Sequence, residues 1–163
     1  CPNEAGPESN GGCKLADVDN DGIPNINDNC PNEAGEEILN GCPKMPKSLS
    51  NFLNSYSDFF FDFDSYELNQ VQISNISDLS KILIKYDYIK LNIDGHASSE
   101  GESEYNMQLS QRRSISVKNT LINNGVKDSR LKIRAYGESM PNYPDFPLSE
   151  RKKNRRVKIS VEN

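Results

Sequence analysis

The sequence predicts an α/β sandwich: helices packed on a mixed four-stranded sheet in the order β-α-β-α-β-β, preceded by a small irregular segment. Three observations predict it. Apolar and polar residues alternate in four separate stretches, the period of a half-buried strand. Between them, two longer stretches return apolar residues at helical spacing. The first 43 residues show neither period, repeat a short unit and hold all four cysteines.

The elements follow in order. Phe59, Phe61 and Phe63 alternate with Phe60, Asp62 and Asp64, a first strand whose phenylalanines read as core. Residues 70–86 set Ile76, Leu79, Leu83 and Tyr86 on one helical face. Ile89, Leu91 and Ile93 alternate with Lys90, Asn92 and Asp94, a second strand. A longer helix runs from about Glu104 to Asn124 and stops at Gly125, a residue type suited to the position just past a helix. Leu131 and Ile133 mark a third strand. Val157, Ile159 and Val161 mark a fourth, with Arg156, Lys158 and Ser160 on its other face. Pro43 and Pro46 interrupt regular structure ahead of all this. The expected domains are a repeat segment over 1–43, a linker over 44–56 and a globular domain over 57–163.

Charge divides along the same line. Residues 1–43 carry nine Asp or Glu and one Lys, whereas residues 44–163 carry fifteen acids and eighteen bases. The acidic segment suits a cation, and a balance of +3 over the rest is too weak to argue for nucleic acid. No run of about 18 apolar residues offers a membrane-spanning helix. No signal peptide is present, so any export signal is expected to have been removed.

Cys1-Pro-Asn-Glu-Ala-Gly returns as Cys30-Pro-Asn-Glu-Ala-Gly, and the two copies close at Cys13 and Cys42. The first copy opens in mid-unit, so further repeats are expected ahead of Cys1; a lipidated Cys1 is the rival reading. Four clustered cysteines point to disulfides and an oxidising compartment. A zinc site is disfavoured because its cysteines usually come in close pairs. The equal spacing of twelve in both copies predicts Cys1 bonded to Cys13 and Cys30 to Cys42.

Between the copies lies Asp17-Val18-Asp19-Asn20-Asp21-Gly22-Ile23-Pro24-Asn25-Ile26-Asn27-Asp28. Calcium takes six to eight oxygen ligands, and acids at alternating positions can converge on one ion. Asp17, Asp19, Asp21, the Ile23 carbonyl and Asp28 are the expected ligands, with Asn25 acting directly or through a water. No amphipathic helices flank the loop, so it is not an EF-hand. With the Cys-Pro that follows, it resembles thrombospondin type 3 repeats, which carry Asp where Asn25 stands.

In the globular part, Gly95-His96-Ala97-Ser98-Ser99-Glu100-Gly101, Tyr105-Asn106 and Leu109-Ser110-Gln111-Arg112-Arg113 occur in that order. Phe61-Asp62-Phe63-Asp64 precedes them; Tyr136-Gly137-Glu138, Pro141 and Arg151-Lys152-Lys153-Asn154-Arg155-Arg156-Val157 follow. Together they resemble the OmpA-like peptidoglycan-binding domain of the OmpA, Pal and MotB family, over residues 57–161. The resemblance implies binding of the diaminopimelate residue of the stem peptide by Arg113, whose rigid fork suits a carboxylate. It implies a pocket completed by Phe63, Asp64, Ser98, Ser99, Glu100, Asn106 and Leu109. Arg113 also stands out unaided, because it interrupts the apolar row Leu109, Val117, Leu121 and must be paired internally or meet an anion. The family's Gly-His-Thr-Asp reads Gly-His-Ala-Ser here, so the acid that would meet the ligand ammonium is replaced by Ser98. Glu100 or Asp64 is expected to take its part, or a hydroxyl and backbone atoms suffice.

The expected function is therefore non-catalytic: a wall anchor on the periplasmic face of the bacterial outer membrane. Its partners would be peptidoglycan and an outer-membrane barrel or anchor preceding this chain, with Ca2+ stiffening the spacer. An adhesion module that kept the fold but lost wall binding is the alternative. His96, the sole histidine, has no nucleophile arranged beside it, and no acid pair or metal triad suits catalysis.

Overall fold

A computed structural model of the chain describes residues 5–162. The chain divides into two compact units, Cys1–Lys47 and Ser48–Asn163.

The second unit contains α1 (Lys47–Tyr56, starting one residue early), β1 (Asp58–Phe60), α2 (Gln70–Lys85), β2 (Leu91–Gly95), α3 (Ser103–Asn123), β3 (Leu131–Ala135), α4 (Leu148–Arg151) and β4 (Arg156–Val161). The sheet order is β1-β4-β2-β3. β4 runs antiparallel to β1 and β2, and β3 runs parallel to β2. A parallel pair needs a crossover, which α3 supplies. β2 lies inside the sheet, with Ile93 opposite Ile133 on one side and Ile159 on the other. The sheet's solvent-side charges pair as the register allows: Arg134 forks onto Asp94 across the strands at 2.6 and 2.7 Å.

Specific bonds set the bounds of the two long helices. Asn69 and Gln72 exchange side-chain and backbone hydrogen bonds at 2.9 Å, a capping box that starts α2. Ile76, Leu79 and Leu83 are then fully buried. α3 stops where Gly125 takes φ +99, with Val126 N–H donating to Leu121 and Gly125 N–H to Ile122. That doubly bonded ending puts buried Val126 beside buried Leu121. The end of α2 is closed from a distance: Arg130 donates to the carbonyls of Ile89, Leu83 and Tyr86 at 2.7–2.9 Å.

Three expectations are corrected. Residues 47–56 form α1 rather than linker, because Leu49 and Phe52 share a helical face and are buried. The first strand ends at Phe60 instead of continuing to Phe63, because the chain turns at Asp64, whose φ is +52. Phe59 and Phe61 are core, whereas Phe60 and Phe63 are 46% and 66% exposed.

The first unit is built on repetition. Glu8–Asn10 and Glu37–Leu39, one repeat apart, are both 3-10 turns closed by a left-handed residue, Gly11 or Asn40. Cys30 and Cys42 are disulfide-bonded. The expected partner of Cys13, Cys1, lies outside the described residues.

Burial, assisted by the positive charge of Arg156, pushes the His96 pKa from 6.5 down to about 4. His96 is 6% exposed and stacks on Tyr136. The unfolded chain takes up a proton near pH 6.5 that the folded domain refuses until about pH 4. Stability is thus full above pH 6.5 and falls as pH drops toward 4, by roughly 3 kcal/mol in all. Urea midpoints of His96→Gln, followed from about pH 7 to 4.5, should fall less steeply than those of the parent. Replacing Arg130 by Met removes the side-chain donor from three carbonyls, of which Tyr86's keeps the Ile89 N–H and those of Leu83 and Ile89 lose theirs. It should lower unfolding free energy by about 3 kcal/mol or more, read as a shifted midpoint at constant slope.

Candidate functional site

Gly95, at the end of β2, allows α3 to cross closely: a Cβ there would lie 2.1 Å from the Ser110 carbonyl oxygen. α3 therefore passes directly beneath the loop that follows β2. From its buried face Arg113 reaches three backbone carbonyls: Nε donates to Ser65 at 2.8 Å, Nη1 to His96 at 3.1 Å and Nη2 to Asp62 at 3.2 Å. The Phe61 ring lies 5.4 Å from the guanidinium. Arg113 is wholly buried, and no carboxylate forms an ion pair with it among the described residues. Burial, followed by the charge of Arg155, lowers its pKa to about 10, so it remains charged at neutral pH. Two of its five N–H groups, one on each terminal nitrogen, are left over from these bonds.

Above it opens a cavity of about 190 Å³. Of the expected site residues, Phe63, Asp64, Ser98, Glu100, Asn106, Leu109 and Arg113 line it. Ser99 is exposed and does not. Tyr105 and Arg155 were missed. Tyr105 carries a legible signal, because it stands one helical turn before Leu109 on α3. Arg155 precedes β4, and its guanidinium is held at the pocket.

The two pocket acids differ. Glu100 is engaged: its Oε2 accepts from the Ser98 hydroxyl at 2.8 Å and from Arg155 at 3.3 Å, and Arg151 lies 3.7 Å from Oε1. Asp64 accepts a short hydrogen bond from the Tyr105 hydroxyl and has no cationic partner within ion-pair distance among the described residues. That bond raises the Tyr105 pKa. Asp64 is therefore the acid with charge to spare, and Ser98 serves to hold Glu100. An aspartate at position 98 would set one carboxylate against another. Asn106, buried, donates to Glu138 at 2.5 Å. The pocket thus presents a buried cation with spare donors and, at its rim, an unneutralised carboxylate: the complement of a small zwitterion.

In the first unit, Asp17, Asp19 and Asp21 bring carboxylate oxygens within 4.8 Å of one another. Their other bonds shape the loop: Asp17 accepts from Asn20 and Gly22, and Asp21 from Ile23 and Gly35. Asp19 Oδ2 is buried without a hydrogen-bond partner among the described residues, an atom that suits a cation. Asp28 stands outside this cluster; its Oδ1 accepts from Cys30 N–H at 2.7 Å and its Oδ2 is buried and unpartnered. Asn25 turns its side-chain oxygen to Val18 N–H at 3.0 Å. The hard-oxygen donor set fits calcium.

The OmpA family model matches residues 60–155, and that of the thrombospondin type 3 repeat matches residues 13–37. A peptidoglycan-associated lipoprotein of Mesorhizobium japonicum is 32% identical over 113 residues, 69% of this chain and 67% of that protein. Outer membrane porin F of Pseudomonas fluorescens is 36% identical over 105 residues, 64% of this chain. The chain spans only 32% of that porin. The solved C-terminal domain of Helicobacter pylori MotB superposes with a TM-score of 0.60 at 28% identity, covering 65% of this chain and 84% of that one. The peptidoglycan-associated lipoprotein of Burkholderia pseudomallei gives 0.65 at 24% identity, over 73% and 97%, a likeness of fold. The match over 60–155 takes in every residue that lines the pocket, and the chain belongs to the OmpA family.

Proposed function

We propose that the second unit binds peptidoglycan without cleaving it, gripping the diaminopimelate of the stem peptide. On this reading it anchors an outer-membrane protein to the wall at the membrane's periplasmic face. The pairing of buried Arg113 with unneutralised Asp64 in one 190 Å³ pocket carries the proposal. The spare guanidinium donors take a ligand carboxylate and Asp64 takes its ammonium. Relatives named as peptidoglycan-associated lipoproteins and an outer membrane porin support the same location. The first unit is proposed to be a spacer stiffened by calcium, held by Asp17, Asp19 and Asp21 with help from the Ile23 carbonyl. Calcium would supply charge neutralisation there, where three carboxylates face one another.

Arg113→Ala should abolish binding to purified sacculi, but it also removes the donor from three carbonyls, of which Asp62's keeps the Ser65 N–H, and should lower stability. Asp64→Asn separates the two effects, because asparagine tolerates the positive φ and keeps the acceptor for Tyr105. Its sacculus affinity should fall about tenfold with the thermal midpoint unchanged. Binding equal to the parent's would remove the assigned role of Asp64. For the first unit, calorimetry should show calcium binding that Asp19→Ala abolishes; no heat from the parent would refute the spacer reading.

A further inference from the structure

A cavity of 190 Å³ falls below the roughly 300–1,000 Å³ usual for ligand sites, so the pocket holds a head group and leaves the rest of any peptide outside. Arg155 forms part of its wall and also lines a neighbouring groove of about 520 Å³, with Tyr143, Lys152 and Lys153. That groove has a held wall. Buried Asn154 accepts from the N–H groups of Asn142 and Tyr143 at 3.0 Å and donates to the Tyr143 carbonyl at 2.8 Å, fixing the loop. Its cations differ in what they already hold. Lys153 is taken by Glu150 at 2.8 Å and lies over the Tyr143 ring. Arg155 is shared with Glu100. Lys152 is exposed and meets no carboxylate within ion-pair distance among the described residues. One carboxylate, Asp62, lines the groove against three cations.

We infer that this groove is a second anion subsite, in which Lys152 receives the next carboxylate along an acidic peptide whose zwitterionic residue occupies the pocket. The inference rests on the pocket reading above. It makes the domain a reader of the charge state of a neighbouring residue: a free carboxylate is held, an amidated one is not.

Calorimetry with three probes tests it: free diaminopimelate, the dipeptide γ-D-glutamyl-diaminopimelate, and that dipeptide with its glutamate α-carboxylate amidated. The parent should bind the free-acid dipeptide about fivefold or more tighter than its amide. Lys152→Glu, a surface change whose folding is checked by thermal unfolding, should erase that ratio. Equal affinity of the parent for acid and amide, or a ratio that survives Lys152→Glu, overturns the groove alone. If the parent takes up none of the three probes, the pocket reading falls and the groove with it.

Discussion

The site depends on one buried guanidinium. Arg113 lies on the face of α3 that an amphipathic helix would fill with leucine, and its charge would be costly there if left unsolvated. Carbonyls of Asp62, Ser65 and His96 replace the water it loses. Those carbonyls belong to the turn after β1 and to the loop after β2. One side chain thus ties two loops to a helix and holds open the space between them.

Arg130 makes a useful comparison. It too is buried and spends its donors on three carbonyls, at the end of α2 and in the loop beyond. Both arginines have burial as the main cause of a lowered pKa. The difference lies in what else they face. Arg130 lines neither of the two cavities described above, so its work is complete in the folded chain, whereas Arg113 borders the pocket and keeps donors unused. Lysine would serve in neither place, since an ammonium cannot reach three carbonyls splayed around a plane.

Periodicity made the sheet and its two long helices legible, because Ile76, Leu79 and Leu83, or Leu91 and Ile93, are buried for the reason their spacing announces. Helix α1 escaped because the prolines ahead of it outweighed a short pattern, Leu49 and Phe52. The strand ending at Phe60 escaped because alternation continues to Phe63 while the backbone turns. Most of the pocket was legible through family motifs, and Arg113 also through its intrusion into an apolar row. The different duties of Asp64 and Glu100 were not, because they depend on which arginines converge on Glu100 from the segment before β4, some fifty residues away in sequence.

The first unit solves a different problem by different means. It has too few apolar side chains for a core, so local bonds and a covalent link take over. Each 3-10 turn is closed by its own backbone, and the Cys30–Cys42 bridge closes a short loop, a constraint on the unfolded chain worth roughly 2–3 kcal/mol. Neither device neutralises Asp17, Asp19 and Asp21, whose oxygens converge within 4.8 Å. Among the described residues their neighbours answer with backbone N–H groups alone, which orient the carboxylates without cancelling their charge. On the proposed calcium reading, a bound ion would cancel that charge and couple the conformation of the loop to the calcium around it.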